Sequence, residues 1–118
     1  MGIWGRRRGR LRHSVGIETK GGRFTRLIPK GEPLPASVTE TFTTADPNQS
    51  AIQLRPFQGE GQLVSFNQGL GLFEVTEIPP AGPGEPLVYV TFHVDAQGKL
   101  SITAQEDGTG RDLPVLRR

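Results

Sequence analysis

At 118 residues, 34% hydrophobic and 22% charged, the chain is sized for one soluble domain with a modest core. It has no cysteine, which excludes a disulfide framework, a thiolate metal site and a cysteine nucleophile, and no apolar run approaches a membrane span or a secretory signal. The net charge of +2 hides an asymmetry: residues 1–13 hold Arg6, Arg7, Arg8, Arg10, Arg12 and no acid, leaving nine basic against twelve acidic residues elsewhere, a net −3.

In chain order, residues 1–13 read as a basic, disordered arm with a single Trp4, and residues 14–118 as one folded domain. The 16 Gly and 10 Pro punctuate short β-branched runs, which predicts an all-β fold. Strands are expected at 14–19, 23–28, 37–44, 51–58, 72–77, 87–94, 100–104 and 113–116. Gly21-Gly22 marks a tight turn between the first two. Pro29, Pro33 and Pro35 stiffen the connection to the third, and the polar run Asp46-Pro47-Asn48-Gln49-Ser50 makes the next loop. Prolines 79, 80 and 83 make 78–84 a rigid loop. The clearest strand alternates Val88, Val90, Phe92 and Val94 with Tyr89, Thr91 and His93, so one face is core and the other wetter. Ala96-Gln97-Gly98 then turns the chain into Leu100-Ser-Ile-Thr-Ala104, which alternates again. No segment carries a sustained helical period. The expected architecture is an antiparallel β-sandwich of about eight strands.

Chemistry-bearing groups are sparse. His13 and His93 are the only histidines, and neither has an acidic or nucleophilic partner in a recognisable motif. The carboxylates are scattered without calcium-loop spacing, and the glycines form no phosphate-binding loop. The sequence therefore reads as a binding module, not an enzyme, with no call for a cofactor or metal. Five arginines could neutralise phosphates and Trp4 could stack on a base. The net-acidic body, however, lacks a basic and aromatic stripe, which argues against nucleic acid as the main partner. Absence of a leader and of cysteine fits a cytoplasmic protein.

Two blocks carry more information than the rest: Val15-Gly-Ile-Glu-Thr-Lys-Gly-Gly22 and Phe42-Thr-Thr-Ala-Asp-Pro-Asn-Gln-Ser-Ala-Ile52. With Gln58-Gly59-Glu60, Leu70-Gly71, Ile78-Pro79-Pro80-Ala81, Gly84-Glu85-Pro86, Val90-Thr91-Phe92, Asp95-Ala96-Gln97-Gly98 and Thr109-Gly110, they follow one another at a familiar spacing. From about residue 14 to 116 the chain resembles the peptide-binding β-domain of the DnaK-type chaperones, the seventy-kilodalton heat-shock family. The resemblance implies a β-sandwich that holds unfolded or extended apolar peptides in a groove between sheet loops. It implies that Ile17, Phe42, Ile52, Leu54 and Val88 line a pocket for one apolar side chain. It also implies that Thr19, Lys20, Ala45 and Gln49 arch over and contact the peptide backbone. Lys20 stands where an apolar residue is expected, and Leu63-Val64-Ser65-Phe66 is more apolar than its usual charged counterpart. Neither the family's ATPase domain nor its helical lid is expected within these residues. The module would act alone or pair with a separate ATPase domain. The competing readings are binding of nucleic acid or an acidic partner through the Arg arm, and a non-functional fragment of a split chaperone gene.

Overall fold

A computed structural model describes residues 9–118. It contains β1 (Val15–Thr19), β2 (Arg23–Ile28), β3 (Ala36–Thr43), β4 (Ile52–Leu54), β5 (Pro56–Gln58), β6 (Gln68–Gly69) and β7 (Phe73–Val75). It continues through β8 (Leu87–Val94), β9 (Leu100–Glu106), β10 (Asp112–Leu113) and β11 (Val115–Arg117), with a short 3-10 turn at Val64–Phe66. All strand pairs are antiparallel, in three sheets ordered β2-β1-β5-β6, β10-β9-β8-β3 and β11-β7-β4. The chain is an all-β sandwich, as its periodicity predicts. No helix among the described residues is long and apolar enough to cross a membrane.

Eleven strands replace the expected eight because two of the predicted runs change sheets midway and a two-residue strand, β6, was not legible. The 51–58 run breaks at Arg55. Ile52 and Leu54 pair with Val75 and Phe73, whereas Pro56 and Phe57 pair with β1. Pro56 has no N–H to donate to a ladder, so the chain turns into the second sheet there. Between the two halves, the Arg55 carbonyl accepts from Glu18 N at 3.0 Å. The C-terminal run breaks in the same way at Pro114, whose carbonyl accepts from Thr76 N at 2.9 Å.

The alternation of β8 is realised in full. Val88, Val90 and Phe92 are 0% exposed, and Tyr89, Thr91 and His93 face outward, half-buried. That outer face is tied to its neighbours by hydroxyl contacts: Thr39 to Thr91 at 2.8 Å, and Ser37 Oγ to His93 Nδ1 at 2.6 Å. His93 is thus a strand histidine paired with a serine. The β1–β2 pair shifts register between Val15 and Gly16. A Cβ at Gly16 would lie 2.1 Å from the Thr25 carbonyl oxygen, so only glycine lets these backbones approach.

The core divides into two clusters. The larger gathers Ile17, Ile52, Leu54, Phe73, Val75 and the inner face of β8; the smaller gathers Leu11, Val15, Ile28, Leu34 and Val94. Leu11 corrects the arm boundary drawn from charge. Residues 9–13 lie along the β2–β3 connection, with Leu11 N donating to Glu32 O at 2.9 Å and Leu34 N to Gly9 O at 2.9 Å. The lone apolar residue of the Arg run is buried, while Arg10 and Arg12 on either side stay exposed. Trp4, Arg6, Arg7 and Arg8, the rest of the expected arm, lie outside the described residues.

Candidate functional site

Four strands from all three sheets deliver the expected pocket residues to one place. Phe42 and Val88 are direct partners across β3 and β8. Ile52 and Leu54 come from β4, and Ile17 from β1 opposite Pro56. Ile17, Ile52, Leu54 and Val88 belong to the larger core cluster, and Phe42 packs against it with its ring centroid 6.5 Å from that of Phe92. Val88 at 0%, Leu54 at 3%, Ile17 at 6% and Ile52 at 8% are buried, and Phe42 is half-buried.

Two loops flank this cluster, and each has an outer loop holding it. The β1–β2 turn places Gly21 at φ 83° and Gly22 at φ 71°, conformations that need glycine. Gly22 N donates to Thr19 O at 3.1 Å, and Val64 N of the 59–67 loop donates to Gly22 O at 2.9 Å. On the other side, Asn48 N donates to Ala81 O at 2.8 Å, Gly84 N to Thr44 O at 2.8 Å and Ile78 N to Ser50 O at 3.0 Å. The 44–51 loop is therefore clipped to the proline-rich 76–86 segment at three points.

The expected arch residues divide between these loops. Thr19 Oγ1 and Thr25 Oγ1 share a hydrogen bond at 2.8 Å. Lys20 is exposed and lines, with Glu18, Thr19, Gln53 and Arg55, an open cleft of about 310 Å³. Gln53 and Arg55 had no role in the sequence reading; the sheet change at Pro56 is what aims them at Lys20. Ala45 is exposed, and its amide donates to Gln49 Oε1 at 3.0 Å. Gln49 is spent largely on its own loop: Oε1 also accepts from Asp46 N at 3.2 Å, and Nε2 donates to Ala51 O at 2.7 Å. One Nε2 hydrogen remains for any other acceptor.

Glu60 anchors the outer loop behind the β1–β2 turn. Its carboxylate accepts from Ser14 Oγ at 2.7 Å and Ser14 N at 2.9 Å, and the Ser14 hydroxyl in turn accepts from Lys30 N at 2.9 Å. Those two Ser14 hydrogen bonds, side chain first, hold the Glu60 carboxyl below the usual carboxylate range. Asn67 closes the same loop by accepting from Gly61 N and donating to Gly61 O and Leu63 O.

The family model described as "Hsp70 protein" matches residues 11–115, nearly the whole chain. The chain belongs to the Hsp70 family. Among curated proteins it is similar to the chaperone protein DnaK of Halobacterium salinarum, strains R1 and NRC-1. Each is 47% identical over 97 residues, covering 82% of this chain. The chain spans about 15% of the length of these relatives.

Proposed function

We propose that this domain is a chaperone-type substrate-binding module that holds extended apolar peptide segments between the β1–β2 turn and the 44–51 loop. The observation that carries this reading is the convergence of Ile17, Phe42, Ile52, Leu54 and Val88 from three sheets on one cluster beside both loops. A single Leu or Ile side chain seated against Ile17, Phe42 and Ile52 would gain about 1.5–3 kcal/mol. Backbone hydrogen bonds from Thr19, Lys20, Ala45 and the remaining Gln49 donor would add about 0.5–1.5 kcal/mol each, against the cost of ordering the peptide. The balance favours weak to micromolar, sequence-tolerant binding, the pattern of recognition through main chain plus one pocket. The role proposed for these residues is holding the peptide.

The test is fluorescence anisotropy with a labelled, Leu-centred extended peptide, comparing the wild type with Ile52→Phe. Filling the rim should weaken binding by at least roughly tenfold while the melting curve is retained, because overpacking beside a loop can relax outward. If Ile52→Phe melts early, Phe42→Ser serves in its place, since Phe42 is only half-buried. Equal affinity in wild type and a folded rim variant would rule the pocket out.

A further inference from the structure

The two outer loops carry apolar patches of opposite charge on opposite sides of the clipped pair. On the 59–67 loop, Phe66 is 74% exposed and Leu63 41%. This is a fixed feature: Phe66 N donates to Leu63 O at 3.0 Å, Asn67 N to Val64 O at 2.9 Å, and the Asn67 side chain bonds Gly61 and Leu63. The ring is presented on a turn already ordered, so little entropy is lost on docking it. Beside it, Leu63 and Phe24 line a cavity of about 520 Å³ that also includes Arg23 and Arg26. The one acid there, Glu60, accepts from Ser14 through both oxygens and pairs with Arg26 at 4.0 Å, so two arginines face one carboxylate. This flank is apolar with a basic rim.

The 76–86 loop presents the complement. Ile78, Pro79, Pro86 and Leu87 wall a cavity of about 250 Å³, and Leu87 is 38% exposed. Glu85, Glu106 and Asp107 also line it. Arg111 engages Glu106 at 3.5 Å and the Tyr89 hydroxyl donates to Asp107 at 2.8 Å, which leaves Glu85 and the Asp107 charge to face outward. A cavity of roughly 150 Å³ accommodates a benzene ring, so this one admits a phenyl group. The prolines hold its wall rigid.

We infer that a second copy of this chain docks head-to-tail, with Phe66 of one copy in the Pro79–Leu87 cavity of the next and Arg23 and Arg26 against Glu85 and Asp107. Charge complementarity selects this occupant over a neutral apolar partner, since basic rim and acidic rim meet only in that orientation. Knob and cavity are different surfaces of one molecule, so the contact is heterologous and leaves a free knob and a free cavity at the ends of each assembly. The cavity shares Val88 with the proposed peptide pocket but is not lined by Ile52, and Phe66 lies on the 59–67 loop.

Analytical ultracentrifugation of the full 118-residue chain tests it. The weight-average mass of the wild type should rise from micromolar to near-millimolar concentration, and rise less as salt screens the rims. Phe66→Ser and Leu87→Arg should each sediment as monomers, with association weakened on the order of 30-fold, as loss of an aromatic anchor from its pocket predicts. Glu85→Arg, at an exposed position, replaces Leu87→Arg if the latter melts early. An equimolar mixture of the knob variant and the cavity variant should give one-to-one dimers and nothing larger, because each supplies the surface the other lacks. Ile52→Phe should associate like the wild type. A wild type that stays monomeric, a Phe66→Ser that still associates, or a mixture that remains monomeric or grows beyond dimers overturns the proposal. So does loss of association in Ile52→Phe, which would place the contact in the peptide groove.

Discussion

Lys20 is the residue on which we propose that the peptide preference of this domain turns. It lies on the arch side of the proposed groove, with Arg55 across the same cleft and Glu18 as the cleft's one acid. A methylene stem can cover a peptide while its ammonium stays wet. Two cations against the single carboxylate of Glu18 should favour peptides whose apolar centre is flanked by Asp or Glu. The charges are exposed, so each pair is worth about 0.2–1 kcal/mol, at most roughly fivefold, and should fade with salt. In a panel of neutral and Asp-flanked peptides at low and moderate salt, Lys20→Met should lower the acidic preference and strengthen neutral apolar binding. Arg55→Gln should lower the preference alone. If neither substitution moves the affinity ratio, both are solvated surface residues. The sequence made half of this visible. Lys20 was legible because it replaces an apolar residue within a recognisable block. Arg55 was not, since it reads as an ordinary polar position in an alternating strand until the sheet change at Pro56 is known. Gln49 shows the opposite outcome: its place in the loop was legible, but its bonds to Ala45, Asp46 and Ala51 depend on the loop's folded path.

At the scale of strands and loops, side-chain period predicted what short-range geometry allows and missed what proline and glycine impose over distance. The β8 alternation, the Gly21-Gly22 turn and the 95–98 hairpin could be read directly, because each depends on residues adjacent in sequence. In that hairpin, Asp95 Oδ1 accepts from Gln97 N at 2.9 Å and Lys99 N at 2.8 Å, the local fit expected of an Asp at a turn. The division of 51–58 between two sheets was hidden, since its two halves find different partners from elsewhere in the chain. Gly16 is the same kind of feature. Nothing beside it in sequence requires glycine; the requirement comes from Thr25 across the ladder. Gly16→Ala should therefore destabilise by about 1–3 kcal/mol or more, as overpacking against backbone does, because a carbonyl cannot rotate away as a side chain can. Glycines 21 and 22, with open space around them, should respond through φ strain instead. Denaturant midpoints for Gly16→Ala and Gly21→Ala would separate the two causes. A Gly16→Ala midpoint equal to wild type would show that the β1–β2 shift is adaptable.

Across the whole molecule, two carboxylates fasten the ends of the domain to its interior. Glu60 holds Ser14, where the chain enters β1, and Glu74 of β7 pairs with Arg118, one residue past β11. Arg117 beside it stacks over Phe73, 5.5 Å from the ring centroid, so the last strand is held by charge and by ring contact together. Both carboxyls sit below their usual value of 4.5: Glu60 chiefly through the Ser14 hydrogen bonds, and Glu74 chiefly through that from Arg118. A carboxyl whose folded pKa is depressed binds its proton more weakly folded than unfolded. Its contribution to stability is therefore present above the unfolded pKa and is lost as pH falls through the folded one. The chain as a whole is +2 at neutrality and grows more positive as carboxylates are neutralised, so self-repulsion adds to the loss. Specific pairing should dominate, because exposed like charges are screened while hydrogen-bonded ones are held in contact. Thermal melts from about pH 7 to about pH 3 should show the wild type losing stability below about pH 4.5. Glu60→Gln and Glu74→Gln should each be less stable than the wild type near neutrality, and each should have a shallower acid limb. The double variant should be flatter still, since Glu60 lies on the 59–67 loop, Glu74 on β7, and the two share no partner. An acid limb in the double variant as steep as that of the wild type would assign acid sensitivity to other carboxylates.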